Sequence, residues 1–585
     1  MKLLKLEIGD LPKEKQFRSL HAGFKVEFHS LDIKGIKAME SFSPFCFAGL
    51  NGSGKSNVLE ALAAIFFHLE CCVGKYKPDS FATQFRPHIC SPDAFTLEYL
   101  IWRKGEKDFK NENFYKVTIQ KELGRPPRLF RQLNPLYGTN KAEEESINPP
   151  KQKRNQAAEP APAKLYLPDI IVGYSSGENE ILSIPFRKSR LINFDKYKQD
   201  SYDNRPFEEP ENSLIYIDAE MSQAVLLSCL LLEEGEALKP LEKELGIVGL
   251  HSFRLNINNY ELHKLKDTKE TVKLLNHCKL IIEQLKNCST CWYEHDLNML
   301  YEDGTSASKL TLDFLIDENT KKVFKHYFKK SFDLFRFFQM LYELNLLSVD
   351  EDEKFEVYDS KGVYTDWKIP DSKPKSEVFT FLNYFILKKN HEKDEPESRL
   401  MREISDGEHQ FLHTMGICLM LKNRRSLLLL DEPETHFNPS WRAKFIKILN
   451  DSISAGSIED NKNLNIHLLK DILLTSHSPF IISDCKPDNV ILFKRGLDGK
   501  VIPKTARERM FNTYGASVDL ILQEIFGMAH SISEHVLEEI RILLRKRTVE
   551  PIIEGTKRFG ESYEKGFLFE RIEELKANKK KKAKK

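Results

Sequence analysis

The sequence predicts an α/β fold built on a parallel sheet, and three observations predict it. A short apolar strand, Pro44–Ala48, runs directly into the glycine-rich stretch Gly49–Ser56. The segment Asn57–Leu69 then places its apolar residues on one helical face. Far downstream, the fully apolar run Leu427–Leu430 ends in the carboxylate pair Asp431-Glu432. Such a run is typical of a strand that is buried on both faces of a parallel sheet.

The stretch from Gly49 to Ser56 fits the phosphate-loop pattern G-x-x-x-x-G-K-S without a gap. Glycines let backbone N–H groups approach phosphate oxygens, and the following helix adds its positive dipole end. Lys55 would reach the β- and γ-phosphates, and the Ser56 hydroxyl would bind Mg²⁺. The pattern therefore predicts ATP and Mg²⁺ as ligands. The candidate nucleotide-binding residues are Asn51, Gly52, Ser53, Gly54, Lys55, Ser56 and Asn57.

The carboxylate pair after the leucine run predicts hydrolysis. Open α/β sheets bind ligands at the carboxyl ends of their strands. We expect Asp431 to hold Mg²⁺ and Glu432 to orient or deprotonate the attacking water. The alternative is a surface carboxylate pair that follows a core strand.

Two further segments have the same strand-end placement. The apolar run Ile472–Thr475 precedes His477, which we expect near the γ-phosphate, although a lone histidine is usually structural. Ser405-Asp-Gly-Glu408 lies between a strand pattern and a helix pattern. Taken alone it is an ordinary helix N-cap with a downstream glutamate, but Ser405 and the Gly407 backbone are also placed to contact phosphate.

The order of these motifs resembles that of the ABC-type ATPases of the structural-maintenance-of-chromosomes, RecF and OLD group. The resemblance covers residues 1–130 and 375–500 and implies that two ATPase heads close face to face. Ser405, Gly407 and Glu408 of one head would then cap the ATP held by Lys55 of the other. His477 would be the switch histidine, and Gln84 would be the Q-loop glutamine that contacts nucleotide and metal. Asp406 stands where many relatives have glycine, which makes the signature less specific.

The resemblance also suggests a biological setting. The segment Val172–Glu180 is similar to bacterial restriction-system-associated AAA ATPases. We therefore expect an ATPase subunit of an anti-phage or restriction-type system, forming a homodimer or higher oligomer and controlling a separate effector such as a nuclease or toxin. The alternative is a RecF- or SMC-like repair ATPase acting on DNA directly. A transporter subunit is disfavoured by the long insertion between Ser56 and Ser405. No intrinsic nuclease is expected, because too few residues follow His477 for a TOPRIM domain.

Composition sets the remaining expectations. Charged residues make up 30% of the 585, yet the formal net charge is +1, which argues mildly against a protein that coats nucleic acid. The absence of a long apolar run predicts a cytoplasmic protein without a membrane contact. The 10 cysteines show no disulfide framework; Cys288 and Cys291 have zinc-like spacing, with buried thiols as the alternative.

The predicted organisation is a phosphate-loop ATPase head interrupted by a large, mostly helical insertion and followed by C-terminal helices. The head would comprise residues 1–130 and 375–500, with a flexible loop at 131–165 and a helical, strand-containing insertion at 166–374. C-terminal helices would span 501–570, and a lysine-rich disordered tail would span 571–585.

Overall fold

Strands form three sheets, which helices cover, in the part of the chain that the computed structural model describes. That part is residues 1–583 except 14–15, 76, 107–109, 136–139, 152–158, 178, 203–212, 265–268, 301–305, 360–376, 391–394, 422–423, 455–465 and 529–531. The strands are β1 Lys2–Ile8, β2 Lys25–Glu27, β3 Phe45–Ala48, β4 Phe95–Trp102, β5 Phe114–Lys121, β6 Arg128–Leu133, β7 Glu143–Glu145, β8 Ile170–Ser175, β9 Leu214–Tyr216, β10 Ile247–Asn258, β11 Cys291–Leu300, β12 Ser306–Leu315, β13 Phe379–Lys388, β14 Glu397–Leu400, β15 Ser426–Asp431, β16 Lys470–Thr475, β17 Val490–Arg495 and β18 Val501–Thr505. The helices are α1 Ile33–Met39, α2 Lys55–Val73, α3 Asp79–Ala82, α4 Glu180–Tyr202, α5 Ala219–Leu232, α6 Lys239–Leu245, α7 Asn259–Lys264, α8 Lys269–Cys288, α9 Glu318–Tyr327, α10 Ser331–Glu343, α11 Glu351–Asp359, α12 Asp406–Met420, α13 Pro439–Ser454, α14 Pro479–Ser483, α15 Val518–Phe526, α16 Glu534–Leu544, α17 Val549–Thr556 and α18 Tyr563–Ala583.

The sheet that positions the expected motifs has the order β18-β17-β3-β16-β15-β8-β9, and we call it the parallel sheet. All its neighbouring strands are parallel except the β17–β18 pair. Asp431, the last residue of β15, lies opposite Thr475 on one side and Ser175 on the other. The predicted α/β fold with a phosphate loop after an apolar strand is therefore confirmed.

Four consecutive leucines in β15 explain why that strand lies in the interior of the parallel sheet, between β16 and β8. Leu428 and Leu430 pack into the hydrophobic core on one face, whereas Leu427 and Leu429 pack into the core on the other. Successive side chains of a strand point to opposite faces, so a strand covered on both sides needs an apolar residue at every position.

Two strands of the segment expected to be an insertion belong to the parallel sheet. β8 pairs with β15, and β9 pairs with β8. Conversely β13, expected within the ATPase head, lies in a five-stranded antiparallel sheet of order β11-β12-β10-β13-β14, which we call the insertion sheet. Sequence separation did not indicate this exchange, because long stretches of chain intervene between strands that pair.

The N-terminal sheet, of order β2-β1-β4-β5-β6-β7, is antiparallel and covers α2. Its edge strand β7 and a 3-10 helix at Pro162–Tyr166 fall within the loop expected to be flexible. Arg128 and Arg131 of β6 form ion pairs with glutamates of β7, which gives this polar stretch a partner strand. The remainder of that prediction, at 136–139 and 152–158, lies outside the described residues.

The C-terminal helices are present as expected, but the lysine-rich tail differs from the prediction. Helix α18 continues to Ala583, whereas a disordered tail was expected from residue 571. Leu568 and Ile572 bury one side of α18 against α16 and α17, and Lys and Ala are good helix formers. Packing and propensity together therefore extend the helix beyond the composition-based boundary; residues 584–585 lie outside the described residues.

Helix α2, Lys55–Val73, is the one helix in the described ranges that is long and apolar enough to cross a membrane. It follows the phosphate loop, and 72% of the apolar stretch is buried inside the protein. Near the proposed zinc pair, Cys288 is buried at the end of α8 and Cys291 is exposed at the start of β11. Among the residues with defined positions, no group of three or more His, Cys, Asp or Glu side chains is placed to hold a metal ion.

Candidate nucleotide site

The loop between β3 and α2 has the backbone conformation that a phosphate cradle requires. Gly49, Gly52 and Gly54 have φ values of +147°, +71° and +95°, which side chains disfavour. A Cβ on Gly49 would lie 2.6 Å from the Phe493 carbonyl oxygen, and one on Gly54 would lie 2.4 Å from Ser19 Oγ. Glycine is therefore needed at both ends of the loop for conformation and for space.

Lys55 folds back over this loop. Its Nζ donates to the carbonyl oxygens of Gly49 at 2.9 Å and Leu50 at 3.1 Å. Burial lowers the pKa of Lys55, while the nearby carboxylates of Glu432 and Asp431 oppose that shift. The ammonium group thus lies inside the loop, where it can exchange carbonyl oxygens for phosphate oxygens.

The other loop residues divide into buried and exposed groups. Ser53 Oγ is buried and has no hydrogen-bond partner among the described atoms, so it is free to donate to a phosphate oxygen. Asn51 and Gly52 are exposed, and the Gly52 carbonyl accepts from Arg495 at 2.9 Å. The Asn57 amide lies 2.6 Å from Ser19 Oγ and links α2 to the segment before β2.

Asp431 is the centre of a hydrogen-bond network at the carboxyl edge of the parallel sheet. Its Oδ1 accepts from Ser56 Oγ at 2.8 Å and from Thr475 Oγ1 at 2.6 Å. Its Oδ2 accepts from Asn179 Nδ2 at 2.7 Å. Three different elements thus fix this carboxylate: the start of α2, the end of β16, and the turn between β8 and α4.

The Ser56 and Asp431 pair fits a Mg²⁺ site. Neighbouring ligands of an octahedral ion with metal–oxygen distances of about 2.1 Å lie roughly 3 Å apart. The 2.8 Å between Ser56 Oγ and Asp431 Oδ1 matches that edge, and hydroxyl and carboxylate oxygens suit the ion. These two residues would hold Mg²⁺, which would neutralise charge on the β- and γ-phosphates.

Glu432 is held in a strained conformation beside Asp431. Its φ is +48°, a region that costs a non-glycine residue about 1–3 kcal/mol. The Glu432 N–H donates to Thr475 Oγ1 at 3.0 Å, and the carbonyl accepts from Ser176 Oγ at 2.5 Å. Because bonds on both sides fix the backbone, the carboxylate points along one direction out of the sheet edge.

His477 lies against that carboxylate. Its Nε2 is 3.2 Å from Glu432 Oε1, and both side chains are partly exposed. The hydrogen bond from His477 lowers the pKa of Glu432 despite partial burial, so the carboxylate stays ionised and able to accept a proton at neutral pH. The structure therefore brings together Lys55, Ser56, Asp431, Glu432 and His477, as the sequence predicted.

The signature segment is built differently. Ser405 caps α12 by accepting from the Glu408 N–H at 3.3 Å, and Glu408 accepts from the Ser405 N–H at 3.0 Å. Lys388 binds Glu408 at 2.6 Å. Ser405 and Asp406 are exposed, and within the described ranges the capping group has no hydrogen bond to the phosphate loop of its own chain.

Gly407 explains how this segment touches the loop after Glu432. A Cβ there would lie 2.7 Å from the His436 carbonyl oxygen. One turn further along α12, Gln410 Oε1 accepts from the His436 N–H at 3.1 Å. The signature helix is thus joined to the segment Pro433–Pro439, and a side chain at position 407 would separate them.

The structure does not bring Gln84 to the site. Gln84 follows α3, next to Phe85, whose ring lies 5.5 Å from the His68 ring. His68 is on α2, 13 residues after Lys55, which places it about 20 Å along the helix from the phosphate loop. The spacing to the strand Phe95–Trp102 suggested the assignment, but that strand, β4, belongs to the N-terminal sheet.

Asn179, which the sequence analysis did not single out, is the amide side chain that contacts Asp431. It follows β8, the strand that pairs with β15 on the side away from β16. Besides Asp431 it reaches Glu60 Oε1 at 3.4 Å, and Glu60 in turn binds Arg18 at 3.0 Å. Sequence analysis missed Asn179 because the apolar run before it was not recognised as a member of the parallel sheet.

Glu434 is a second residue that sequence analysis did not single out. It lies in the loop after Glu432 and is buried. Its carboxylate accepts from Ser476 Oγ, next to His477. Burial raises its pKa to about 7. The N–H of Ser478 also binds Ser476 Oγ, at 2.9 Å, so Glu434 is connected to the backbone that follows His477.

The parallel sheet with its phosphate loop gives the chain an α/β fold similar to that of P-loop ATPases, which generally use ATP and Mg²⁺. A family model described as "AAA domain, putative AbiEii toxin, Type IV TA system" matches residues 307–483. The matched stretch begins in β12 and includes the signature segment, Asp431 and His477. No curated protein matches the chain.

Solved structures similar to this chain include two Smc head complexes. One is the Smc head domain with an extended coiled coil bound to the C-terminal domain of ScpA from Pyrococcus furiosus, at 11% identity and a TM-score of 0.30, covering 87% of this chain and 98% of that one. Another is the SmcHead bound to the C-winged helix domain of ScpA, at 11% identity and a TM-score of 0.29, covering 87% and 100%.

Proposed function

We propose that this chain hydrolyses ATP and that hydrolysis times the opening of a dimer of ATPase heads. The dimer controls a separate effector, such as a nuclease or toxin, in a bacterial anti-phage or restriction-type system. The observation that carries the hydrolytic part is the joint placement of Ser56, Asp431, Glu432 and His477 at one edge of the parallel sheet.

Each residue of that edge has a chemical task. Lys55 and the loop N–H groups bind the β- and γ-phosphates, and Ser56 and Asp431 would hold Mg²⁺, which would neutralise phosphate charge. Glu432 orients the attacking water and accepts its proton. His477 fixes the Glu432 carboxylate at 3.2 Å and is placed to respond to the γ-phosphate.

The dimer proposal rests on the signature segment. Ser405 is exposed at the N-terminus of α12, where backbone N–H groups and the helix dipole favour an anion. Its bonds within this chain run to Glu408 rather than to the phosphate loop. We infer that a second copy brings its own ATP to Ser405, so each active site is completed by the partner.

The effector proposal is supported by the description of the matching family model. That description names a putative toxin of a type IV toxin–antitoxin system, which is a two-component arrangement. The alternative, a repair ATPase acting on DNA, differs in one measurable way. DNA would then bind with strong salt dependence and stimulate ATP hydrolysis.

The test measures ATPase activity and mass by light scattering on the purified full chain with Mg²⁺. We expect turnover by the wild type, and an ATP-dependent dimer that persists for Glu432→Gln. If the wild type and Glu432→Gln both stay monomeric with ATP, the proposal that hydrolysis times the opening of a dimer is overturned. Co-purification with the products of adjacent reading frames, with and without ATP, then tests the effector. Salt-dependent DNA stimulation without any such partner would replace the defence proposal with the repair alternative.

A further inference from the structure

A cavity of about 260 Å³ lies behind the signature segment. Its walls come from α5, from β13 of the insertion sheet, and from the chain on both sides of Ser405. None of the residues proposed to bind ATP or Mg²⁺ lines it. The volume approaches the lower end of small-molecule pockets, about 300 Å³, and far exceeds the space of a single water molecule.

Two polar side chains that line this cavity, the buried Tyr384 and the half-buried His413, have no side-chain hydrogen bond in the described part of the chain. Burial raises the pKa of Tyr384 and no hydrogen bond to its hydroxyl is recorded, although the residue is only 5% exposed. Burial lowers the pKa of His413 to about 3, so this imidazole is neutral and able to donate and accept. Hydroxyl and imidazole groups that are withdrawn from bulk solvent normally have hydrogen-bond partners, so these two groups could both bind a polar ligand in the cavity.

The mouth of the cavity provides charge and amide groups. Arg402 is exposed and, among the residues described, forms no ion pair. Gln223 and Asn383 add amides that can donate and accept hydrogen bonds. The acidic residues nearest in sequence, Glu403 and Asp406, are exposed to solvent and do not line the cavity. An anionic group at the mouth would therefore meet the Arg402 guanidinium, while Asp406 and Glu408 act electrostatically on His409 from outside the cavity lining.

The inner walls are largely aromatic. Phe381 and Tyr384 of β13 line this cavity together with His409 and His413 of α12. The centroids of the two histidine rings are 5.9 Å apart. Rings contributed by two different elements favour a flat ligand, and the amides suit the edges of a heterocycle.

We propose that this cavity is a second ligand site for a planar heterocycle carrying one anionic group, of the nucleoside monophosphate class. The heterocycle lies between the aromatic walls, its edge binds Gln223, Asn383 and the Tyr384 hydroxyl, and its anionic group binds Arg402. The site is separate from the phosphate loop and differs from it in lacking a glycine cradle.

The position of the cavity links its occupant to the signature segment. Arg402 precedes Ser405 by one 3-10 turn, and His409 lies in the first turns of α12. Gln410 on the same helix binds the segment after Glu432. Resting on the proposed function, we infer that the ligand shifts dimer closure, because an occupant held by Arg402 and His409 favours one placement of Ser405.

The binding test uses uridine 5′-monophosphate and orotate as probes, titrated by calorimetry into the full chain carrying Lys55→Ala. That variant removes competition from the phosphate loop. We expect one bound probe per chain, weakened at least about tenfold by Arg402→Ala because a charge-assisted bond is lost. His413→Trp, which fills the cavity, should abolish binding.

Arg399→Ala is the matched control, because Arg399 pairs with Glu397 on β14 outside the cavity. If neither probe binds the Lys55→Ala protein at millimolar concentration, the site proposal is overturned. Binding that Arg402→Ala leaves unchanged would overturn it equally, and this variant is exposed, so folding does not obscure the result.

Coupling is tested separately on the wild-type chain at saturating ATP. Uridine 5′-monophosphate should change the ATPase rate severalfold, and Arg402→Ala should remove that effect while keeping the basal rate. An unchanged rate with a bound probe would overturn the coupling. A wild-type chain with no ATPase activity would instead count against the proposed function, and the calorimetric result would stand apart from it.

Discussion

Asp431 and Ser405 are both proposed to act at bound ATP, yet their surroundings in the protein differ. Asp431 is 7% exposed and receives hydrogen bonds from three separate elements. Ser405 is exposed, and its bonds join it to Glu408 three residues away. One group is held by the whole fold, and the other is held by a single helix turn.

This difference suggests how the proposed ATP site is divided between two copies of the chain. A buried carboxylate that already has its partners is prepared for a metal without help from another chain. A capped, exposed helix N-terminus is stable alone but presents its remaining N–H groups outward. In the proposed dimer, the hydrolytic half would thus be complete within one chain, whereas the signature half would act on the nucleotide of a partner. The predictions below alter one half at a time.

The largest effect is expected from Lys55→Ala. Removing the ammonium group that lies over Gly49 and Leu50 should abolish ATP binding, at least about a hundredfold in affinity, because a buried charge contact to phosphate is lost. Binding of a fluorescent ATP analogue measures this. Lys37→Ala, at an exposed position of α1, is the control. Near-normal affinity in Lys55→Ala would show that the loop is not the nucleotide site.

Glu432→Gln should keep ATP binding and reduce hydrolysis about 10²- to 10⁴-fold, because the amide preserves shape but cannot accept a proton. Steady-state phosphate release and light scattering with ATP measure the two consequences. The trapped protein should be dimeric. Turnover at the wild-type rate would refute the assigned role of Glu432.

Asn179→Ala should raise the Mg²⁺ concentration needed for half-maximal turnover about 10- to 100-fold. Removal of a group that orients a metal ligand typically weakens metal binding by that factor. The substitution removes the 2.7 Å bond to Asp431 while leaving Ser56 in place. The Mg²⁺ concentration for half-maximal rate is the measurement. Gln84→Ala is the informative comparison, because the structure places Gln84 away from the site, and a larger effect there would restore the Q-loop assignment.

Ser405→Arg should block dimer closure and leave ATP binding by the monomer unchanged. The long cation would occupy the exposed face of α12 without disturbing Asp431, which lies in the other half of the site. Light scattering with ATP in the Glu432→Gln background measures closure. A dimer that still forms would argue that the signature does not cap a partner's nucleotide.

How much the sequence could predict follows the same division. The phosphate loop and β15 were predictable because each depends on neighbouring residues in the sequence. Glycines and a lysine suit a phosphate loop, and four consecutive leucines suit a strand that is buried on both faces. Asn179 was not, because its role depends on β8 pairing with a strand far away in sequence. Gln84 was misplaced for the same reason: nothing local shows that β4 belongs to another sheet. A motif can be read from residues that are close in sequence, whereas the residues that contact it in space depend on the order of strands in the sheet.

The smallest effect on turnover is expected from Glu434→Gln, because this variant instead changes how the stability of the protein depends on pH. The unfolded carboxyl loses its proton near its ordinary pKa of 4.5, whereas the folded one does so near 7. Between these values the unfolded state binds fewer protons, so the free energy of unfolding falls as pH rises, by roughly 3 kcal/mol for this one group. In the glutamine variant the free energy of unfolding does not fall in this way, because the amide does not titrate.

Chemical denaturation at pH 5 and pH 8 measures this difference. The variant should gain stability relative to the wild type at pH 8 and little at pH 5, while the amide still accepts from Ser476. Asp451→Asn, on the exposed surface of α13, is the control and should show no such trend. Equal pH profiles for wild type and Glu434→Gln would show that Glu434 is ionised in the folded protein. The link between the segment after Glu432 and the strand end that carries His477 would then be an ordinary ionic hydrogen bond, and it would not respond to pH near neutrality.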